Sequence, residues 1–238
     1  MYGDDLAYVH DAGFGDLARR AAPAIVRLLR ARGIRVGHIV EVGCGSGIAA
    51  RRFVSGGYEV TGIDVSAAMI RLARAKAPLA QFRVAPIERA HLPPCDAVVA
   101  LGEIVSYVPG GLPALRRVFQ RVHDALRPGG VFAFDFIESE VGRTFAAKSF
   151  GGADWALATR ATFDASRKLL TRRIIVVRRS GRRARHATEI HRVRVYGRAE
   201  MRRALERAGL SVAISRSFGA CRLMTGDAAV IATRPAPV

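Results

Sequence analysis

The residues best placed to do chemistry are Glu41-Val42-Gly43-Cys44-Gly45-Ser46-Gly47, where glycine recurs at alternate positions behind an apolar run. Glycines there let a chain turn sharply and let a ligand approach the main chain closely. Asp64 follows, at the end of the next apolar run. A carboxylate at that point can accept hydrogen bonds from both hydroxyls of a ribose. The combination points to an adenosine-containing cofactor. It departs from the dinucleotide fingerprint G-x-G-x-x-G, because Ile48 stands where the third glycine belongs.

Other side chains could serve an acceptor. His10 sits beside Asp11 in an aromatic N-terminal segment with Tyr2 and Tyr8, which could close over a ligand or remain a surface arm. Glu189 and His191 lie two apart on an expected strand and so share one face. They could reach an acceptor or simply form a polar cross-strand face. Asp135 either approaches the acceptor or serves the fold. In open α/β sheets, ligands sit beyond the carboxyl ends of strands. Leu101 and Gly102 therefore fall near the reacting group, with Glu103, Ser106 and Tyr107 following along the acceptor side. No single catalytic residue stands out; His10, Glu103, Tyr107 and His191 are the candidates. Cys44, Cys95 and Cys221 show no CxxC spacing, which supports neither a metal site nor a disulfide framework.

These residues need a frame to hold them. Apolar runs at 38–42, 58–63, 81–84, 97–101 and 131–136 read as strands. Helical periodicity marks 14–32, 47–55, 66–76 and 113–126. Gly33 stops the first helix and Ser66 suits the N-cap of the third. Arg127-Pro128-Gly129-Gly130 breaks the fourth. Alternating strands and helices predict a doubly wound, mostly parallel sheet. After about residue 150 the pattern changes to antiparallel strands at 155–163, 169–178 and 186–196. A helix at 198–208 and strands at 210–215 and 228–232 close the chain. We therefore expect a core over 1–150 with an N-terminal helical arm, an insertion over 151–197 covering the acceptor, and a C-terminal completion over 198–238.

Bulk properties narrow the classes. Half of the 238 residues are hydrophobic, enough for a sizeable core. No apolar run approaches the roughly 20 residues needed to cross a bilayer, and the N-terminus lacks signal-peptide features. A soluble, cytoplasmic protein without a membrane partner is expected. The net charge of +18 is almost all arginine, since lysine occurs only at Lys76, Lys148 and Lys168. The surplus gathers between Arg160 and Arg207, which admits an anionic acceptor or a nucleic acid as partner. Only Phe163 and Tyr196 are aromatic in that block, which is thin for base stacking.

Residues 41–47 resemble motif I, E/D-x-G-x-G-x-G, of the class I S-adenosylmethionine-dependent methyltransferases. Gly62-Ile63-Asp64-Val65-Ser66 is similar to their acidic second motif, and Leu126-Arg127-Pro128-Gly129-Gly130 to the turn before their fifth strand. The resemblance implies a Rossmann-like sheet of seven strands whose last strand runs antiparallel. It implies S-adenosylmethionine as cofactor. Glu41 and the loop through Gly43, Cys44, Gly45 and Gly47 would serve its methionine end, and Asp64 its ribose. Val65 or Met69 would lie against the adenine, edged by Ile87 and Glu88. Leu101 and Gly102 would lie near the sulfonium. Ala85-Pro86-Ile87-Glu88 departs from the family's commoner Gly-Asp at this loop. Gly102-Glu103-Ile104-Val105 also replaces the Asn/Asp-Pro-Pro-Tyr/Phe of base and glutamine methylation. The implied activity is methyl transfer to an N or O nucleophile of a small molecule. An RNA methyltransferase using residues 160–207 and a non-catalytic cofactor-binding regulator are the alternatives.

Overall fold

A computed structural model describes residues 2–138 and 147–236, with Ser180 through its backbone alone. Helices α1 (Asp4–Gly13) and α2 (Asp16–Ala31) precede β1 (Gly37–Val42). The chain then alternates through α3 (Ile48–Ser55), β2 (Tyr58–Asp64), α4 (Ala67–Lys76), β3 (Gln81–Val84) and β4 (Cys95–Ala100). A 3-10 turn, Ile104–Tyr107, leads to α5 (Gly111–Ala125) and β5 (Leu126–Ile137). Four strands follow: β6 (Lys148–Gly151), β7 (Trp155–Asp164), β8 (Leu169–Ser180) and β9 (Arg183–Arg194). The chain closes with α6 (Arg198–Glu206), β10 (Ser211–Ser215), β11 (Ser217–Phe218), β12 (Cys221–Arg222) and β13 (Asp227–Thr233).

The main sheet has seven strands in the order β10-β13-β5-β4-β1-β2-β3. Strand β13 runs antiparallel to both neighbours, while β5, β4, β1, β2 and β3 pair in parallel. The strand order reverses between β1 and β4, where a crevice opens at the carboxyl ends. Helices cover both faces, so the central strands are apolar on both sides. On one face Leu115, Val118, Phe119 and Val122 of α5 pack with Phe132 and Phe134 of β5. The Phe119 ring lies 6.0 Å from Phe132 and 5.8 Å from Phe134. On the other face Ile25 and Leu29 of α2 join Phe53 of α3 and Ile39 of β1.

The second sheet, β6-β7-β8-β9, is antiparallel throughout. Its inner face seats on α1 through Leu6, Val9, Leu157 and Val176. Near the end of β5 it packs through Ile137, Leu170 and Val193. These contacts hold β9 over the crevice of the first sheet. No helix of the described residues is long and apolar enough to cross a membrane.

Three features depart from the sequence reading. The N-terminal segment is a helix of its own, separated from α2 by Phe14 and Gly15. Strand β5 starts at Leu126, so the Pro-Gly-Gly turn is drawn into the strand through an irregular register between Cys95 and Ala97. Its backbone is satisfied across the sheet: Gly129 N–H donates to Arg234 O at 2.8 Å, and Arg234 N–H donates to Gly130 O at 3.0 Å. Strand β6 straddles the expected boundary at residue 150. It and the two-residue strands β11 and β12 are too short to show a period.

Candidate active site

A cavity of about 440 Å³ opens at the carboxyl ends of β1, β2 and β4, with α1 and β9 around its rim. Its floor is the loop after β1. Gly43, Gly45 and Gly47 all take positive φ, at 67°, 52° and 78°. A Cβ on Gly43 would lie 2.3 Å from the Ile104 Cδ1, whereas one on Gly45 would meet nothing within 4 Å. The main chain at Gly45 is thus bare towards open space, as a ligand cradle requires.

Asp64, at the tip of β2, braces that loop. Its Oδ2 accepts from Gly45 N–H at 2.9 Å and its Oδ1 from Ser66 N–H at 2.8 Å. Burial raises its pKa, against the pull of backbone hydrogen bonds from Ser66, Gly45 and Val65. Ser66 caps α4 by accepting from Met69 N–H at 3.2 Å. Glu41 is 3% exposed, and its Oε2 has no hydrogen-bond partner in the protein. Burial, and then the negative charge of Asp64, push the Glu41 pKa well above the carboxylate range. An orphaned buried acid is costly unless a ligand completes it.

Most of the expected cofactor residues meet at this cavity. Glu41, Gly43, Cys44, Gly45, Asp64, Val65 and Met69 line it, as do Ile87, Glu88, Leu101 and Gly102. Gly47 does not. It precedes α3, and a Cβ there would sit 2.9 Å from the Ala73 Cα, so its glycine serves close packing against α4.

The acceptor candidates divide. His10, Tyr107 and His191 line the cavity; Glu103 does not. Glu103 takes a left-handed φ of 63° and turns to Arg172 of β8, which donates to its two oxygens at 2.7 and 3.1 Å. A carboxylate held in a bidentate pair is a counter-ion, not a free base. Burial pushes the His10 pKa down to about 4, and its Nδ1 has no partner in the protein. Asp135 is buried on β5 and serves the loop after β4, accepting from Gly102 N–H at 2.8 Å and Glu103 N–H at 2.9 Å.

Tyr2 and Arg172 escaped the list of candidates. Tyr2 lines the cavity, and its carbonyl accepts from Ser66 Oγ at 2.7 Å. Arg172 shares the inner face of β8 with Leu170, Ile174 and Val176; a cation among alternating apolar residues was the available signal. Helix α1 is fastened at both sides of the cavity. Asp11 bonds Ser46 and Lys76, while Asp5 pairs with Arg178 at 3.5 Å and Arg185 at 2.6 Å.

Residues 39–130 match a family model described as a methyltransferase domain. Over 131 residues the chain is 30% identical to a malonyl-[acyl-carrier protein] O-methyltransferase of Enterobacter lignolyticus (strain SCF1), covering 55% of this chain and 50% of that protein. It is 37% identical over 120 residues to a trans-aconitate 2-methyltransferase of Paracidovorax citrulli (strain AAC00-1), covering 48% and 44%. The chain spans about half the length of the curated relatives it matches. Among solved structures, Streptomyces venezuelae DesVI superposes with a TM-score of 0.82 at 22% identity, covering 99% of this chain and 100% of that one. The sugar N-methyltransferase KedS8 from Streptoalloteichus sp ATCC 53650 gives 0.80 at 18%, covering 99% and 96%. The chain has the fold of these solved structures, and its segment 39–130 is a methyltransferase domain.

Proposed function

We propose that the chain transfers the methyl group of S-adenosylmethionine to a nitrogen or oxygen nucleophile of a small molecule. The observation that carries this is the buried, unpartnered Glu41 oxygen beside a bare glycine loop braced by Asp64. Glu41 fits an ammonium group, which would supply the missing donor and offset the charge penalty. Asp64 borders the cavity beside that loop, where an ionised carboxylate can accept from ribose hydroxyls. Val65 and Met69 are assigned to the adenine face, with Ile87 and Glu88 at its edge. Cys44 and Gly43 contribute loop backbone, and Leu101 and Gly102 face the reacting carbon.

Bound there, S-adenosylmethionine supplies an electrophilic methyl group with its own leaving group. The protein's part is then to orient a nucleophile and to exclude water. Helix α1 and strand β9 border the space opposite the glycine loop, where a small acceptor would enter. Exposed Arg192 lines the same cavity and would suit an acceptor carrying negative charge elsewhere in the molecule. The O-methylation and sugar N-methylation named for the relatives and neighbours support a small-molecule acceptor. Part of the basic block is paired within the chain, Arg172 with Glu103, Arg178 and Arg185 with Asp5, and Arg198 with Glu138, which weakens the ground for RNA. The three cysteines carry free, buried thiols, which supports a reducing, cytoplasmic compartment.

Calorimetric titration with S-adenosylmethionine, S-adenosylhomocysteine and NAD in parallel tests the proposal. Binding of the first two and not the third is expected, followed by S-adenosylhomocysteine accumulation with amine or hydroxyl acceptors. Binding of NAD alone would overturn it.

A further inference from the structure

Three side chains form a continuous hydrogen-bonded line at the acceptor side of the cavity. His191, 4% exposed, is their centre. Its Nε2 lies 3.0 Å from Glu189 Oε2, and its Nδ1 lies 3.3 Å from Tyr107 Oη. The other Glu189 oxygen accepts from Gly3 N–H at 2.8 Å.

The contacts fix where the protons sit. Burial pushes the Glu189 pKa up, but the hydrogen bonds from His191 and Gly3 outweigh it and hold it below the usual carboxylate range. An ionised carboxylate only accepts, so His191 Nε2 carries a hydrogen and donates. In the neutral ring, Nδ1 is then an acceptor. Tyr107, whose pKa burial raises, stays protonated and donates to it. The line runs from the cavity, through the Tyr107 hydroxyl and the imidazole, to a buried anion.

We infer that Tyr107, His191 and Glu189 form a proton relay for an acceptor whose nucleophilic atom is a hydroxyl oxygen or an amine N–H nitrogen. The inference rests on the methyl-transfer reading above. In the step, the heteroatom bonds to the methyl carbon, and the carbon–sulfur bond breaks with its electron pair left on sulfur. The heteroatom's proton passes to Tyr107 Oη as the Tyr107 proton passes to His191 Nδ1. One positive charge is lost at sulfur and one appears on the imidazolium, where Glu189 stabilises it. Tyr107 and His191 are the catalytic residues; Glu189 is a positioning residue that sets the tautomer, the arrangement a His–carboxylate pair gives hydrolytic triads.

The surroundings favour this assignment. Tyr2 meets the His191 ring edge-on with centroids 5.1 Å apart, and Tyr2 meets His10 at the same separation. His10, pushed down to about 4, is neutral and too weak a base to compete. Arg172 stands opposite His191 in the β8–β9 register, where a bare cation would oppose imidazolium formation. Its bidentate pair with Glu103 neutralises it. Arg172 also interacts with Tyr107, which favours negative charge on that oxygen during transfer.

The test uses the full chain saturated with S-adenosylhomocysteine, its histidine ring nitrogens followed by isotope-edited NMR across pH. We expect neutral His191 to carry its hydrogen on Nε2. Glu189→Gln, which takes the anion away from Nε2, should change the resonances of both ring nitrogens. Tyr107→Phe should shift the Nδ1 resonance while leaving cofactor affinity intact. A hydrogen on Nδ1 in the neutral ring, or unmoved ring-nitrogen resonances in a folded, cofactor-bound Glu189→Gln protein, overturns the relay. With whichever hydroxyl or amine acceptor yields S-adenosylhomocysteine, Tyr107→Phe should lower kcat about 100-fold without raising the KM for S-adenosylmethionine. A retained kcat also overturns it. Failure of the wild-type chain to bind S-adenosylhomocysteine would instead remove the methyl-transfer reading, a separable result.

Discussion

The Asp135 carboxylate accepts the backbone N–H of Gly102 at 2.8 Å, so a side chain near the end of β5 holds the loop that leaves β4. Glu103 N–H is its second donor. Asp135→Ala strands both N–H groups and should destabilise the fold on the order of 2 kcal/mol. Burial pushes the Asp135 pKa up to about 7, so the native state holds this proton more tightly than the unfolded chain. A raised pKa stabilises fully below the unfolded value of 3.8, and that benefit fades as pH rises through 7. Chemical denaturation should therefore find a larger cost of Asp135→Ala at pH ~5 than at pH ~8. Equal costs would contradict the assignment.

Asp64→Ala removes the proposed ribose acceptor and the brace on Gly45. Affinity for S-adenosylmethionine should fall by about 1.5–3 kcal/mol, as for a hydrogen bond to a charged group. Calorimetry on the folded variant reads this directly, and an unchanged Kd would refute the ribose role.

Gly45 and Gly47 separate binding from packing. Gly45→Val places its side chain into open cavity at a left-handed φ, so it should fold with a penalty of about 1–2 kcal/mol and lose cofactor binding. Gly47→Ala meets the backbone of α4 and should cost roughly 2–4 kcal/mol of stability. Thermal melts and titrations of the pair decide the matter: a Gly47→Ala protein of wild-type stability would return Gly47 to the cofactor.

Acid should loosen the N-terminal cover. The native His10 pKa of about 4 lies below its ordinary 6.5, so stability is full above 6.5 and is lost as pH falls towards 4. The loss at this partly buried site amounts to at most ~3 kcal/mol. His10→Phe keeps the ring contacts with Tyr2 and Phe14 and should abolish this part of the acid sensitivity. A variant with an unaltered acid limb in its melting profile would disprove it.

What the sequence made legible was what depends on local order. Gly43, Gly45 and Asp64 could be read because a strand, a turn and the next strand tip lie within a short stretch. The apolar runs of β1, β2 and β4 disclosed a sheet buried on both faces. The pairing of Glu103 could not be read because its partner, Arg172, is far along the chain and reaches it only once β8 folds over the site. Gly47 was grouped with its loop because the clash that demands glycine comes from Ala73 on another helix. The pairing of Glu189 with His191 was visible in their alternation, but Tyr107 joins them only through the docking of the second sheet.

Among the described residues the two sheets are separate ladders joined by a bridge between Glu138 and Tyr196, yet one carries the glycine loop and Asp64 while the other brings His191 and Glu189. On the proposed reading, the grip on the methyl donor lies with the first sheet, while the recipient meets Tyr107 of that unit and His191 of the other. On that reading, substitutions on the inner face of β8 and β9 would retune which molecule is modified while the sheet that carries the glycine loop and Asp64 stays as it is.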